Sequence, residues 1–112
     1  GASKVMPNYN VMGVAKAALE TSVKYLSVDL GDQNVRVNAI SAGPMRTLAG
    51  AAIANARDVF NYTSENSSLK RNVNLDELGN STLYLVSDLS SAITGEIHYV
   101  DCGFNIIGMP KS

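Results

Sequence analysis

The sequence predicts an α/β fold built on a parallel sheet. Three observations predict it: apolar residues recur at helical spacing from Val11 to Leu30, strand patterning appears at residues 35–40 and again at 96–100, and helical sequence lies between those two strands. The resulting order is helix, strand, helix, helix, strand, the tail of an alternating βα arrangement. Two strands are too few for such a sheet. Partners are expected from upstream sequence, and an unpaired strand edge would be a pairing liability. Gly1-Ala2-Ser3 carries no initiator Met and opens close to dense apolar sequence, so residues 1–112 are expected to be a fragment of a longer chain.

Each element has a local cause. Pro7-Asn8-Tyr9-Asn10 is turn chemistry, and Val11, Val14, Ala15, Ala18, Leu19, Val23, Leu26 and Leu30 then form one helical stripe, expected to be buried. Gly31-Asp32-Gln33-Asn34 stops the helix with residues that tolerate left-handed backbone. Val35-Arg36-Val37-Asn38-Ala39-Ile40 alternates apolar with polar and predicts a strand, closed by the sharp turn Ser41-Ala42-Gly43-Pro44. Residues 48–60 have helical composition, with Ala49, Ala52, Ile53 and Ala56 on one small-residue face, and residues 61–68 are polar enough to predict a loop. Asn74-Leu75-Asp76-Glu77 predicts a capped helix start, with Leu75, Leu78, Leu85 and Val86 on its buried side and an end near Ser87. Ser90-Ser91-Ala92-Ile93-Thr94-Gly95 then leads into a strand, Glu96-Ile97-His98-Tyr99-Val100, which ends in Asp101-Cys102-Gly103.

Composition excludes several classes. At 46% hydrophobic and 17% charged, the chain is ordinary globular material and one domain is the natural count. A net charge of −1 gives no basic surface for nucleic acid or an acidic membrane, and no apolar run reaches the roughly 20 residues of a membrane helix. The single cysteine, Cys102, has no internal disulfide partner and is expected to be a buried, reduced thiol, which points to the cytoplasm. His98, the one histidine, sits in an alternating strand and is expected to be a satisfied sheet residue. No Cys/His cluster has metal-ligand spacing, and Asp76, Glu77 and Asp88 mark a helix start and a turn rather than paired acids.

Tyr9 and Lys16 carry the strongest chemical signal. Seven positions apart, they fall near one face of a helix two turns from each other, and a fixed ammonium favours a polarised phenol able to donate to a developing oxyanion. Spacing alone makes an ordinary structural pair the commoner case.

The surrounding residues add more. Tyr9-Asn10-Val11-Met12-Gly13-Val14-Ala15-Lys16, then Ala17-Ala18-Leu19-Glu20, Val35 through Pro44, Arg46-Thr47-Leu48-Ala49, Gly79-Asn80-Ser81, Ser87-Asp88-Leu89-Ser90, Thr94-Gly95-Glu96 and Val100-Asp101-Cys102-Gly103-Phe104 together resemble the bacterial enoyl-acyl-carrier-protein reductases. These belong to the short-chain dehydrogenase/reductase superfamily, whose other members, ketoacyl reductases among them, usually place three residues between the tyrosine and lysine. Six stand between them here.

The resemblance implies the C-terminal part of a Rossmann-like, doubly wound parallel sheet, and an oxidoreductase of type II fatty-acid biosynthesis. Its reaction would be hydride transfer from NADH to the β carbon of a trans-2-enoyl thioester on acyl carrier protein, performed by a cytoplasmic homotetramer in which the Tyr–Lys helix meets a neighbouring subunit. Carried over by position, Tyr9 and Lys16 are catalytic, and Lys16 also holds the nicotinamide ribose. Ala42, Gly43, Pro44, Met45, Arg46, Thr47, Leu48 and Ala49 match the run along the cofactor, while Tyr9, Met12, Ala49, Gly50 and Ile53 match the acyl site. Ala56 stands where relatives place a bulky aromatic, so pocket width is not carried over. A second family tyrosine, two positions ahead of the one matching Gly1, and the glycine-rich phosphate loop have no counterpart in these residues. The isolated fragment is therefore expected to bind cofactor poorly and to be inactive. Alternatives are another short-chain dehydrogenase, such as a ketoacyl reductase using NADPH, and a non-catalytic fragment.

Overall fold

The structure is a computed structural model that describes residues 10–45 and 56–109. Its elements are α1 (Asn10–Leu30), β1 (Ala39–Ala42), α2 (Ala56–Asn66), α3 (Leu75–Val86) and β2 (Ile97–Val100), with short 3-10 turns at Gly31–Gln33, Asp88–Ser90 and Phe104–Ile106. The element order is the expected one. β1 and β2 are hydrogen-bonded neighbours. Ala39 N donates to Glu96 O at 2.9 Å and Gly43 N to Val100 O at 3.0 Å, so the pairing advances four residues on each strand together and the pair is parallel.

The residues group into two units, one running up to Ala39 and including Leu89–His98, the other comprising Ile40–Asp88 and the chain from Tyr99 onward. In the first, α1 spans 21 residues and ends where expected, with Asn34 adopting the left-handed conformation and its N–H closing on Gly31 O. The expected buried stripe is not buried. Val23 is covered, whereas Val11, Val14, Leu19 and Leu26 are exposed, because no described element of the unit lies over most of that face. The first strand also begins later than its alternation predicts, at Ala39 rather than Val35. Its approach is tied by other groups: Val37 N donates to Thr94 Oγ1, Gly95 N donates to Val37 O, and the Asn38 amide both donates to Ile93 O and accepts from Glu96 N. Arg36 reaches the buried Ser90 hydroxyl and Ile93 O. His98 lies on β2 with Nδ1 2.6 Å from Glu96 Oε1.

In the second unit, α3 starts on the predicted capping box: Asn74 Oδ1 accepts from Glu77 N at 2.8 Å, and Glu77 Oε1 accepts from Asn74 N at 3.1 Å. Of its expected buried side only Leu85 is fully covered, while Leu75 and Val86 face outward. Residues 61–66, expected as loop, continue α2. Their polarity misleads because these polar groups are satisfied inside: Thr63, Asn66 and Ser67 are buried, Asn66 Nδ2 donates to Tyr62 O, and Ser67 N donates to Thr63 O. The predicted helix segment 48–55 lies outside the described residues.

Candidate functional site

The assigned residues fall into two groups. Met12 and Lys16, four positions apart on α1, share a helix face, and both are exposed. The Lys16 ammonium carries three hydrogen-bond donors on that exposed face. Tyr9 immediately precedes Asn10, the first residue of α1, and lies outside the described residues, as do Arg46, Thr47, Leu48, Ala49, Gly50 and Ile53.

Ala42, Gly43, Pro44 and Met45 form the continuous run at the carboxyl end of β1, the edge where open parallel sheets bind ligands. Gly43 is needed for close approach. A Cβ there would stand 3.2 Å from Asp101 Cα and 3.3 Å from its Cβ, so any side chain would push the strand ends apart. The close neighbour is thus protein backbone. Pro44 supplies no N–H and turns the chain out of the ladder.

Asp101, read from sequence only as a strand end, organises the opposite side of this turn. Its Oδ1 accepts from Gly103 N at 3.0 Å and Asn105 Nδ2 at 3.2 Å, and its Oδ2 accepts from Asn105 N at 2.9 Å. These bonds fold the chain after β2 into a tight loop and hold the carboxylate in place. Beside it lies a cleft of about 310 Å³ whose wall includes Arg71, Glu77, Tyr99, Asp101, Cys102 and Asn105. Arg71 grips Glu77 through two parallel bonds of 2.7 and 2.8 Å. The Arg71 bond, and then the bond from Asn74 N, hold the Glu77 carboxyl below its ordinary range, while Glu77 raises Arg71. Sequence reasoning took Glu77 as a capping residue and missed Arg71. Its signal is a basic residue three positions ahead of a capped helix start, where it reaches the same glutamate. Cys102 also departs from expectation: it is half-buried, because it occupies a left-handed turn position at φ 56° and borders the cleft.

Among the described residues no group of three or more His, Cys, Asp or Glu stands close enough to hold a metal ion, and no helix is long and apolar enough to cross a membrane.

With that geometry in hand, comparison with known proteins is specific. Residues 1–105 match the family described as enoyl-(acyl carrier protein) reductase. A Rhizobium meliloti protein named enoyl-acyl-carrier-protein reductase (NADH) 2 is 62% identical over 110 residues, which are 98% of this chain and 41% of the relative. The crystal structure of FabI from Candidatus Liberibacter asiaticus superposes with a TM-score of 0.93 at 62% identity, covering 99% of this chain and 43% of that one. The Anaplasma phagocytophilum enoyl-acyl-carrier-protein reductase, solved in complex with NAD, gives 0.91 at 56% identity, with coverage of 99% and 42%. The chain therefore spans about two fifths of the length of the relatives it matches, and its α/β fold corresponds to part of their Rossmann-like sheet. By sequence and by structure alike, this chain belongs to the enoyl-acyl-carrier-protein reductase family.

Proposed function

We propose that residues 1–112 form the C-terminal portion of one Rossmann-like domain of an NADH-dependent enoyl-acyl-carrier-protein reductase that saturates trans-2-enoyl thioesters in type II fatty-acid biosynthesis. One observation carries this: Tyr9 and Lys16, with six residues between them, stand in a chain 62% identical to a relative named as an NADH-type enoyl reductase.

The residues present suit the cofactor. Lys16 offers an exposed ammonium, suited to ribose hydroxyls, and the run from Ala42 to Met45 lies at the ligand-binding end of a parallel strand. Lys16, Ala42, Gly43, Pro44, Met45, Arg46, Thr47, Leu48 and Ala49 would hold NADH, which supplies hydride for the substrate β carbon. The Tyr9 hydroxyl donates a hydrogen bond to the thioester carbonyl oxygen and stabilises the enolate charge that builds there. Lys16 lowers the cost of that polarised phenol by its positive charge. Met12, Ala49, Gly50 and Ile53 would contact the acyl chain of the substrate.

The partner is an enoyl thioester on acyl carrier protein, and the compartment is the cytoplasm. Assembly as a homotetramer is supported by the exposed apolar residues of α1, which include Val14, Tyr25 and Val28. The test is Tyr9→Phe in the complete protein: enoyl-dependent NADH oxidation should fall about a hundredfold or more. Full activity in that variant would remove Tyr9 from the mechanism.

A further inference from the structure

We propose that Gly95 is a positioning residue for Lys16: by admitting Ser27 of α1 against bare backbone it sets the tilt of that helix, a role that rests on the reductase function proposed above. All the residues involved belong to the first unit. Gly95 adopts φ +72°, and a Cβ built there would stand 2.9 Å from Ser27 Oγ and 3.5 Å from Ser27 Cβ. The left-handed conformation alone would admit Asn or Asp as well as Gly. Close approach to α1 is what leaves room for glycine only.

Both sides of this contact are held. Thr94 Oγ1 accepts from Val37 N at 3.1 Å and Gly95 N donates to Val37 O at 2.7 Å, so the turn is tied to the lead-in of β1 from two directions. On the helix side, Ser27 Oγ donates to Lys24 O at 2.8 Å, which keeps the hydroxyl from swinging away.

The second observation is where Lys16 stands on the same helix. Val23, the one buried residue of α1 among those described, marks its packed side. Lys16 lies seven positions before Val23 and eleven before Ser27, and so projects from that side. The far end of α1 is tied by Val35 N donating to Leu30 O at 3.3 Å. Measured along the axis from that tie, Ser27 lies at about 4.5 Å and Lys16 at about 21 Å, so a displacement at Ser27 grows roughly fivefold at Lys16. The few tenths of an ångström needed to admit one methyl group therefore become about 2 Å at Lys16, a misplacement large enough to loosen its hold on a ribose.

Gly95→Ala, Ser27→Ala and the two combined are made in the complete protein and assayed for NADH and enoyl-thioester kinetics and for thermal melting. In the combined variant the nearest atom left to the new methyl is Ser27 Cβ at 3.5 Å, an ordinary contact, while the strain of a side chain at positive φ persists. Gly95→Ala is expected to raise KM for NADH about fivefold, with KM for the enoyl thioester unchanged, and its crystal structure should show Lys16 Cα displaced by about 1 Å or more. Adding Ser27→Ala should restore KM for NADH without restoring the melting temperature, and Ser27→Ala alone should match the parent. Ser27→Leu, which crowds the same contact without positive-φ strain, should raise KM for NADH to a similar extent. A parental KM for NADH in both crowded variants, or a defect in Gly95→Ala that Ser27→Ala does not rescue, would overturn the positioning role while leaving the reductase function intact. A parent protein that oxidises no NADH with an enoyl thioester would overturn both.

Discussion

Helix α1 is richer in apolar residues than the segment from α2 to α3, yet the two regions cover their residues in opposite ways. In α1 the apolar positions face outward: Val11 is 75% and Val28 79% exposed, and Val23 is the one fully covered. From α2 to α3 the covered residues are largely polar, with Thr63, Asn66 and Ser67 buried beside Val73 and Leu85. The α1 face is unfinished without another surface against it, whereas the second region closes on itself through a capping box, a bidentate Arg–Glu pair and serine bridges. Burial follows what is packed against a segment, and polarity by itself does not decide it.

Substitutions can break or sharpen that contrast, beginning with the most damaging. Lys16→Ala in the complete protein is expected to lower the enoyl-dependent rate about a hundredfold and to raise KM for NADH, with no loss of melting temperature, since Lys16 is exposed. Steady-state kinetics beside a thermal melt separates the two effects. Gly103→Ala attacks the self-closed region: Gly103 has φ +82°, and a Cβ would come within 2.7 Å of Ser68 Cβ, so a loss of about 2 kcal/mol is expected in urea unfolding. A neutral result would mean that the loop after β2 yields easily. Asn74→Ala removes the α3 cap and should cost about 1 kcal/mol by the same assay.

The Arg71–Glu77 pair gives a pH signature. Because the folded carboxyl is held below its ordinary value of 4.5, the pair contributes stability above that pH and loses it as pH falls through the lowered folded value. The stability gap between the parent and Glu77→Gln should therefore narrow on acidification, and added salt should shrink it at neutral pH, because the pair is exposed. A gap that widens in acid would contradict the pairing. The smallest stability effect belongs to α1: Val28→Lys should change unfolding free energy by less than about 0.5 kcal/mol. It should nonetheless weaken self-association in sedimentation.

Much of this was legible in the residues. Helical spacing gave α1 to within one residue of its start, Asn74 and Glu77 announced the α3 cap, and the order of elements gave the α/β class. The Tyr9–Lys16 spacing pointed to the family that the comparisons then showed. What was missed depended on contacts distant in sequence. β1 begins at Ala39 because Thr94 and Gly95 occupy the groups of Val37, over 50 residues away, where alternation is blind. Residues 61–66 are helical because their polar groups find partners locally and under cover, which composition scores as loop. The Asp101 loop and the Arg71 clamp likewise arise from geometry that no periodicity encodes.

The most direct measurement is the loss of NADH absorbance when the complete protein meets a short trans-2-enoyl thioester, with the matching ketoacyl thioester as control. Oxidation that depends on the enoyl substrate alone is the predicted result. Oxidation driven by the ketoacyl thioester, or by neither, would contradict an enoyl reductase function built on Tyr9 and Lys16.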